Sequence, residues 1–547
     1  YMSHPSVYFD AEALAAFRQR LRQPPAADWV AQVAARADGA ARQNVSRRHG
    51  GAGRNLPPLL WGYALTGDAN YVQPLRRWML AVADSGVDLP EEAEAWCAAA
   101  YDLLAPKLSV QDRSKVLNYL LATERHFLEL HRRGDWYTTS LHSFNPRTNA
   151  SALVVSLAVR GLSTHTDEVV AAVKQNLLHY IETAFGPDGG SIEGMSWGTW
   201  GLREYLRAAG LLFRHGHGSE LREHPRLRGL AHLYRTMLAS PKEFCRFGNM
   251  HGGLKGLAVA GMVAPHVEQD GPDPLPWVMH ALASDIDRDE VDEAALTLWA
   301  GAEVADRIPM PTVPRISVLR DIQWGIMRSD PRIDAPLVVG VKGSDGHLPY
   351  HSQKDVGSFV LYAHGRELIR DPGWGSMKAA EHSIPVIDGA AGDSSGGFIT
   401  ATHARGPWRA MLLDATHNRE GWGIRRFART LVTCGRKYVI VLDDIVPAEG
   451  KPGRVTSRFQ MPEVQPAAEP AGAVTTDGNA SLRMRLFGPE VKLGVEDHKR
   501  GVHWRGKWQS LKVDYTADAN RPLVTVFAVA DGNEPPALDA KVEYGER

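Results

Sequence analysis

The 547 residues include 62 lysines and arginines against 63 aspartates and glutamates, a formal net charge of −1. A near-neutral chain has no global basic field, so nothing argues for a nucleic-acid partner. The length is too great for one compact core and predicts two or more domains, while no apolar run approaches the roughly 20 residues of a membrane span.

The first 300 residues or so read as helices. Apolar residues recur at three-and-four spacing over 10–22, 29–43, 71–83, 90–104 and 110–132, then over 149–160, 166–184, 198–214 and 221–238. Breaks fall at clusters such as Gly186-Pro-Asp-Gly-Gly190. Many helices joined by short loops predict antiparallel helical hairpins. Around Pro309-Met-Pro-Thr-Val-Pro314 the texture changes. Short β-rich runs follow at 337–342, 359–362, 429–433, 438–442, 454–460 and 523–529, the spacing of an antiparallel sandwich. The expected organisation is a helical domain over 1–305 and a strand domain over 306–547. The Pro/Ala-rich stretch 462–473 reads as a loop, and no internal sequence repeat stands out.

Cys97, Cys245 and Cys434 are far apart without a CxxC pair and read as isolated thiols. Fifteen tryptophans are a mild excess. Flat rings stack on sugars in many saccharide sites, although most tryptophans are core. No basic-then-apolar leader opens the sequence at Tyr1-Met2-Ser3.

Four stretches carry candidate chemistry. In His142-Ser-Phe-Asn145-Pro-Arg147-Thr-Asn149, Pro146 is expected to end any upstream helix, with Thr148 or Asn149 capping a helix that opens at Ala150. The plain reading is a capped helix. The functional reading is a set of amide donors that bind a carboxylate where the helix dipole favours negative charge. In Asp188-Gly-Gly-Ser-Ile-Glu193-Gly194-Met-Ser-Trp197-Gly-Thr-Trp200, glycines and two indoles bracket one glutamate, which suits a sugar groove as well as a turn before a helix. Arg246-Phe-Gly-Asn249-Met-His251 offers a loop histidine, and such residues are most often merely solvated. The densest stretch is His351-Ser-Gln353-Lys-Asp355-Val-Gly-Ser358-Phe359, with Tyr350 before it and a hairpin after it that turns at His364-Gly365. Beyond the hairpin come Asp371 and, in Glu381-His382-Ser-Ile-Pro, a further histidine. Asp371 and His382 could meet across neighbouring strands, and a His–carboxylate pair is a metal site, an acid–base pair or a structural ion pair; the last is the commonest.

Taken in order, these stretches resemble the heparinase II/III-like superfamily of polysaccharide lyases and the related dermatan sulfate epimerase, over roughly residues 130–445. The resemblance implies an (α/α) toroid followed by an antiparallel β-sandwich, and β-elimination on uronate-containing polysaccharides such as glycosaminoglycans or alginate. Export to the periplasm or outside the cell follows from that substrate class. It implies that Asn145, helped by Asn149 and Arg147, holds the uronate carboxylate, and that His351 acts as base or acid. Glu193, Trp197, Trp200, His142 and Tyr350 would line the sugar site. Asp371 and His382 fall on two of the family's structural zinc ligands. This sequence departs from the pattern twice. Gln353 stands where the family has its next zinc-ligating histidine, and a glutamine carbonyl is a much poorer zinc ligand than imidazole, so the centre is either empty or held by hydrogen bonds. Trp197 stands where the family has its catalytic tyrosine, and indole cannot shuttle that proton. Candidates for the role are His251, which is favoured, His142 and Tyr350. Two alternatives share the ligand class: a uronate C5-epimerase, and a catalytically impaired acidic-glycan-binding protein.

Overall fold

The computed structural model describes residues 6–24, 26–45, 49–86, 92–250, 257–263, 277, 291–301, 309–345, 353–373, 378–419, 423–467, 471–498, 508–532, 534 and 536–544. The chain forms two compact units. One comprises Tyr1–Phe185, Trp197–Arg228 and Lys255–Pro309. The other comprises Gly186–Ser196, Gly229–Leu254 and Met310–Arg547, so two segments of the N-terminal half belong to the strand-rich unit. No helix among the described residues is long and apolar enough to cross a membrane.

The helical unit is built from the periodicities read in the sequence. Val110–Arg132 shows how one such helix is specified. Ser109 caps it by accepting the Asp112 N–H (3.1 Å), and Asp112 in the first turn and His131 and Arg132 in the last suit the helix dipole. Val116, Tyr119, Leu120, Thr123, Phe127 and Leu130 are its buried stripe. Phe144–Ala158 is buried almost all round, so neighbouring helices cover it on every side.

That central helix corrects one expectation. It begins at Phe144, not after Asn149, and Ser143 precedes it without a side-chain cap. Pro146 lies inside the first turn, where a missing N–H costs nothing because no intrahelical acceptor exists for it. Asn145 and Asn149 are therefore one helical turn apart on one face. Gly194–Arg214 likewise starts earlier than the periodicity suggested and carries both Trp197 and Trp200.

The strand unit holds three main antiparallel sheets. Five strands run in chain order, Ile316–Leu319, Trp324–Arg328, Leu337–Lys342, Phe359–Ala363 and Arg366–Ile369. The turn of the last hairpin has φ of 50° at His364 and 77° at Gly365, the left-handed pair that matches strand twist. An eight-stranded sheet has Ile424–Cys434 and Tyr438–Pro447 near its middle, and a four-stranded sheet includes Arg454–Met461 and Pro385–Ile387. The Arg370 N–H donates to the Gln460 carbonyl (2.9 Å) and joins the four- and five-stranded sheets. Phe359, Leu361, Phe427, Val441, Phe459 and Phe527 lie in one buried cluster that all three sheets share. This is sandwich packing, with inward side chains interdigitated. The expected loop at 462–473 is corrected: Gln465–Ala467 is a strand and Gly472–Asp477 begins within it. Pro466 is tolerated because its strand is the sheet's edge.

Candidate functional site

In the helical unit the asparagines form an internal ladder. Asn145 Nδ2 donates to the Ser140 carbonyl (2.7 Å), and Asn149 Nδ2 donates to Asn145 Oδ1 (3.0 Å) and to the Thr138 carbonyl (3.0 Å). Asn176 Nδ2 then donates to Asn149 Oδ1 (2.9 Å). Asn145 and Asn149 are both fully buried. Asn149 thus has both ends of its amide engaged and holds Asn145, whose second amide proton has no acceptor among the described residues. The backbone donors at the helix start are also engaged: the Phe144 N–H meets His142 Nδ1 (3.3 Å) and the Asn145 N–H meets the His142 carbonyl (2.9 Å). His142 is buried and its ring stacks on Phe144 (5.0 Å between centroids).

Around that helix start lies a surface of rings and guanidinium groups. Trp136 packs against Tyr137 (5.0 Å), His142 (5.2 Å) and Phe144 (6.0 Å), while Trp197 meets Trp200 edge-on (5.3 Å). Trp136 and Tyr137 remain 41% and 37% exposed. The Arg147 guanidinium lies over Trp200 (4.9 Å) and Phe144 (5.3 Å), with its Nε 3.7 Å from Glu92. On helix Gly194–Arg214, spacings of three and four place Trp200, Arg203, Glu204 and Arg207 together. Arg203 reaches Glu92 (3.3 Å) and Glu204 (2.9 Å), and Arg207 reaches Glu204 (2.5 Å). Burial alone would raise the Glu204 carboxyl; the Arg207 and Arg203 charges outweigh it and hold it below its ordinary value. Among the described residues, flat rings and guanidinium groups paired with Glu92 and Glu204 therefore stand side by side at this helix start. Trp136 and Tyr137 were missed in the sequence, where a Trp-Tyr pair after Gly134-Asp135 gives no sign of exposure.

In the strand unit, Asp355, Asp371 and His382 converge, with one ligand-type atom from each within 4.8 Å of the others. All three are fully buried. His382 Nδ1 stands 2.9 Å from Asp371 Oδ2, the Gly373 N–H donates to Asp371 Oδ1 (3.1 Å), and Gln353 Nε2 donates to the Gly373 carbonyl (3.2 Å). Burial would lower the His382 pKa, but the Asp371 charge and hydrogen bond override it and hold the imidazole above its ordinary value. Lys342, at the end of an apolar strand, brings its Nζ to 2.6 Å from both Asp355 oxygens. Two buried side chains fix the His382 turn: Gln460 Nε2 donates to the His382 carbonyl (3.2 Å), and Arg429 Nη1 donates to the Gly357 (2.5 Å) and Ser383 (2.7 Å) carbonyls. Asp355 lay in plain sight within the 351–359 stretch; Lys342 was hidden as one cation closing a run of valines.

The loop Arg246–Met250 packs on this centre. A side chain at Gly373 would stand 2.2 Å from the Met250 carbonyl and 3.1 Å from Arg246 Cδ, so only glycine fits, and φ there is +71°. Arg246 Nη2 lies 3.8 Å from Glu367, to which Tyr362 donates (3.0 Å). Burial pushes the Glu367 carboxyl up to about 6. Glu193, also in this unit, is buried immediately before the helix Gly194–Arg214, where the dipole favours a carboxylate. His251, Tyr350 and His351 lie outside the described residues.

The zinc that the sequence resemblance implies does not fit these donors. With zinc–ligand bonds of about 2.0 Å, two ligand atoms of a tetrahedral shell stand about 3.3 Å apart. The 2.9 Å between His382 and Asp371 is a hydrogen-bond length instead. Asp355 is taken by Lys342, and both Asp371 oxygens already accept hydrogen bonds. His382 Nε2 and Gln353 Oε1 have no partner among the described residues, but one imidazole and one amide oxygen are not a zinc shell.

No family model matches the chain, and no curated protein does. Solved structures do. The crystal structure of heparinase III aligns over 88% of this chain and 77% of its own, with a TM-score of 0.66 and 13% identity. The heparan sulfate lyase HepC from Pedobacter heparinus aligns over 96% and 88%, with a TM-score of 0.60 and 12% identity. The chain therefore has the heparinase-type polysaccharide-lyase fold, a helical toroid followed by an antiparallel β-sandwich.

Proposed function

We propose that this protein is a polysaccharide lyase that cleaves a uronate-containing glycosaminoglycan by β-elimination, with heparan sulfate, the polymer in HepC's name, as the first substrate to test. The observation that carries the reading is the ring-lined start of helix Phe144–Ala158, where the Arg147 guanidinium lies over Trp200, in a chain whose fold matches heparinase III over 88% of its length.

The residues divide the work as the chemistry requires. The uronate C5 proton is weakly acidic, and neutralising the carboxylate stabilises the enolate-like charge that forms as it leaves. The remaining amide proton of Asn145 and the Arg147 guanidinium supply that neutralisation, and Asn149 holds Asn145 in place. His351 and His251 form the acid–base pair: one imidazole takes the C5 proton and the other gives a proton to the leaving oxygen. The C5–H electron pair becomes the C4–C5 double bond as the C4–O bond breaks, and the freed sugar departs as an alcohol. Trp197 and Trp200 stack on sugar rings, and Trp136 and Tyr137 extend that surface.

The test is incubation with a panel of acidic polysaccharides, monitored in the ultraviolet for the C4–C5 double bond. A lyase gives rising absorbance, and His351→Ala lowers that rate by orders of magnitude with the fold intact. An epimerase gives no absorbance but carries solvent deuterium into C5. A glycan-binding protein gives neither and sinks the proposal.

A further inference from the structure

We infer that Lys342 replaces a metal ion at the heart of the strand unit, so that the Asp355–Asp371–His382 centre works without bound zinc. The inference stands apart from the lyase reading, because it concerns how the centre is held together and not what it turns over.

Two buried carboxylates in one place need positive charge nearby. Here a lysine brings it: Lys342 and Asp355 are 2% and 0% exposed, and the ammonium contacts both carboxylate oxygens at 2.6 Å. A divalent ion on the same carboxylate would sit against that ammonium and be repelled. The second carboxylate, Asp371, is held by the Gly373 N–H and by His382 Nδ1, and is within reach of the Ser358 hydroxyl (3.4 Å). The position from which a third strong ligand would come holds Gln353, and its amide nitrogen is tied to the Gly373 carbonyl. Hydrogen bonds and ion pairs therefore run from the 353–358 stretch to the 371–373 loop and the 382–383 turn without an ion. Tight packing leaves little slack. A side chain at Gly248 would lie 3.3 Å from Lys342 Nζ, so the 246–250 loop closes over the lysine.

The inference is tested on the full chain, purified without chelator, by elemental analysis and by thermal unfolding with EDTA and with added zinc. The expected result is far less than stoichiometric zinc, manganese or calcium, and a melting temperature that neither EDTA nor zinc moves. The paired change Lys342→Met with Gln353→His should convert the centre, giving stoichiometric zinc that EDTA removes with a fall in melting temperature. Stoichiometric metal in the unaltered chain, lost on Asp371→Asn, would overturn the inference. Should the double variant fail to fold, the metal content and EDTA response of the unaltered chain decide the matter by themselves.

Discussion

Lys342 Nζ and the Asp355 carboxylate meet at 2.6 Å with neither side chain appreciably exposed. Removing one member of such a pair strands the other charge in the interior, a cost of about 3–5 kcal/mol. Lys342→Met and Asp355→Leu are each expected to lose that much in denaturant unfolding. Combining Lys342→Met with Asp355→Leu should recover a large part, because no charge is then left unpaired. Simple additivity of the two losses would show that the pair is not coupled.

The Glu367 carboxyl titrates inside the folded strand unit. Burial raises it from 4.5 to about 6, although Arg246 pulls the other way. Between those values the folded state holds more proton than the unfolded one, so stability falls as pH rises. The contribution is full below 4.5 and is lost as pH passes about 6, a change of about 2 kcal/mol. Unfolding at pH 4.5 and 7.5 should show that slope in the unaltered chain and a flatter one in Glu367→Gln. An unchanged slope in the variant assigns the pH dependence elsewhere.

Asn149 acts on the candidate carboxylate site through Asn145. Its side chain joins Asn145, Thr138 and Asn176, all within the protein. Asn149→Ala leaves buried partners unsatisfied and should cost about 1–3 kcal/mol. It should also lower kcat by loosening Asn145, whereas Asn176→Ala, one step further away, should cost stability with a smaller effect on kcat. Equal kcat losses in the two variants would remove Asn149 from a positioning role.

The sequence revealed most where a physical period repeats. Helices such as Val110–Arg132 and strands such as Leu337–Lys342 follow directly from spacing and apolar runs. The Asp371–His382 contact was also within reach of the sequence, because the two residues stand near short strand-like runs that could be neighbours. Local rules misled at Pro146, which marks a first turn as readily as a break, and at Pro466, which an edge strand accepts. Lys342 could not be recognised because its partner depends on the register of Leu337–Lys342 against Phe359–Ala363, a non-local fact.

Trp136 offers the clearest separation of binding from chemistry. It is 41% exposed and packs edge-on against Tyr137 and at a tilt against His142 and Phe144, at the border of the buried interior. If its exposed surface stacks on a sugar ring, the contact is made equally in the ground state and the transition state. Such uniform binding appears in KM and not in kcat. With a stacking contribution of about 1–1.5 kcal/mol, Trp136→Ala should raise KM roughly tenfold and leave kcat within about twofold. Trp136→Phe should recover part of the affinity because it keeps a flat ring. A fall in kcat at constant KM would place Trp136 in the support of His142 and the helix start instead. Melting curves of the three proteins, expected to coincide within a few degrees, distinguish that outcome from simple unfolding.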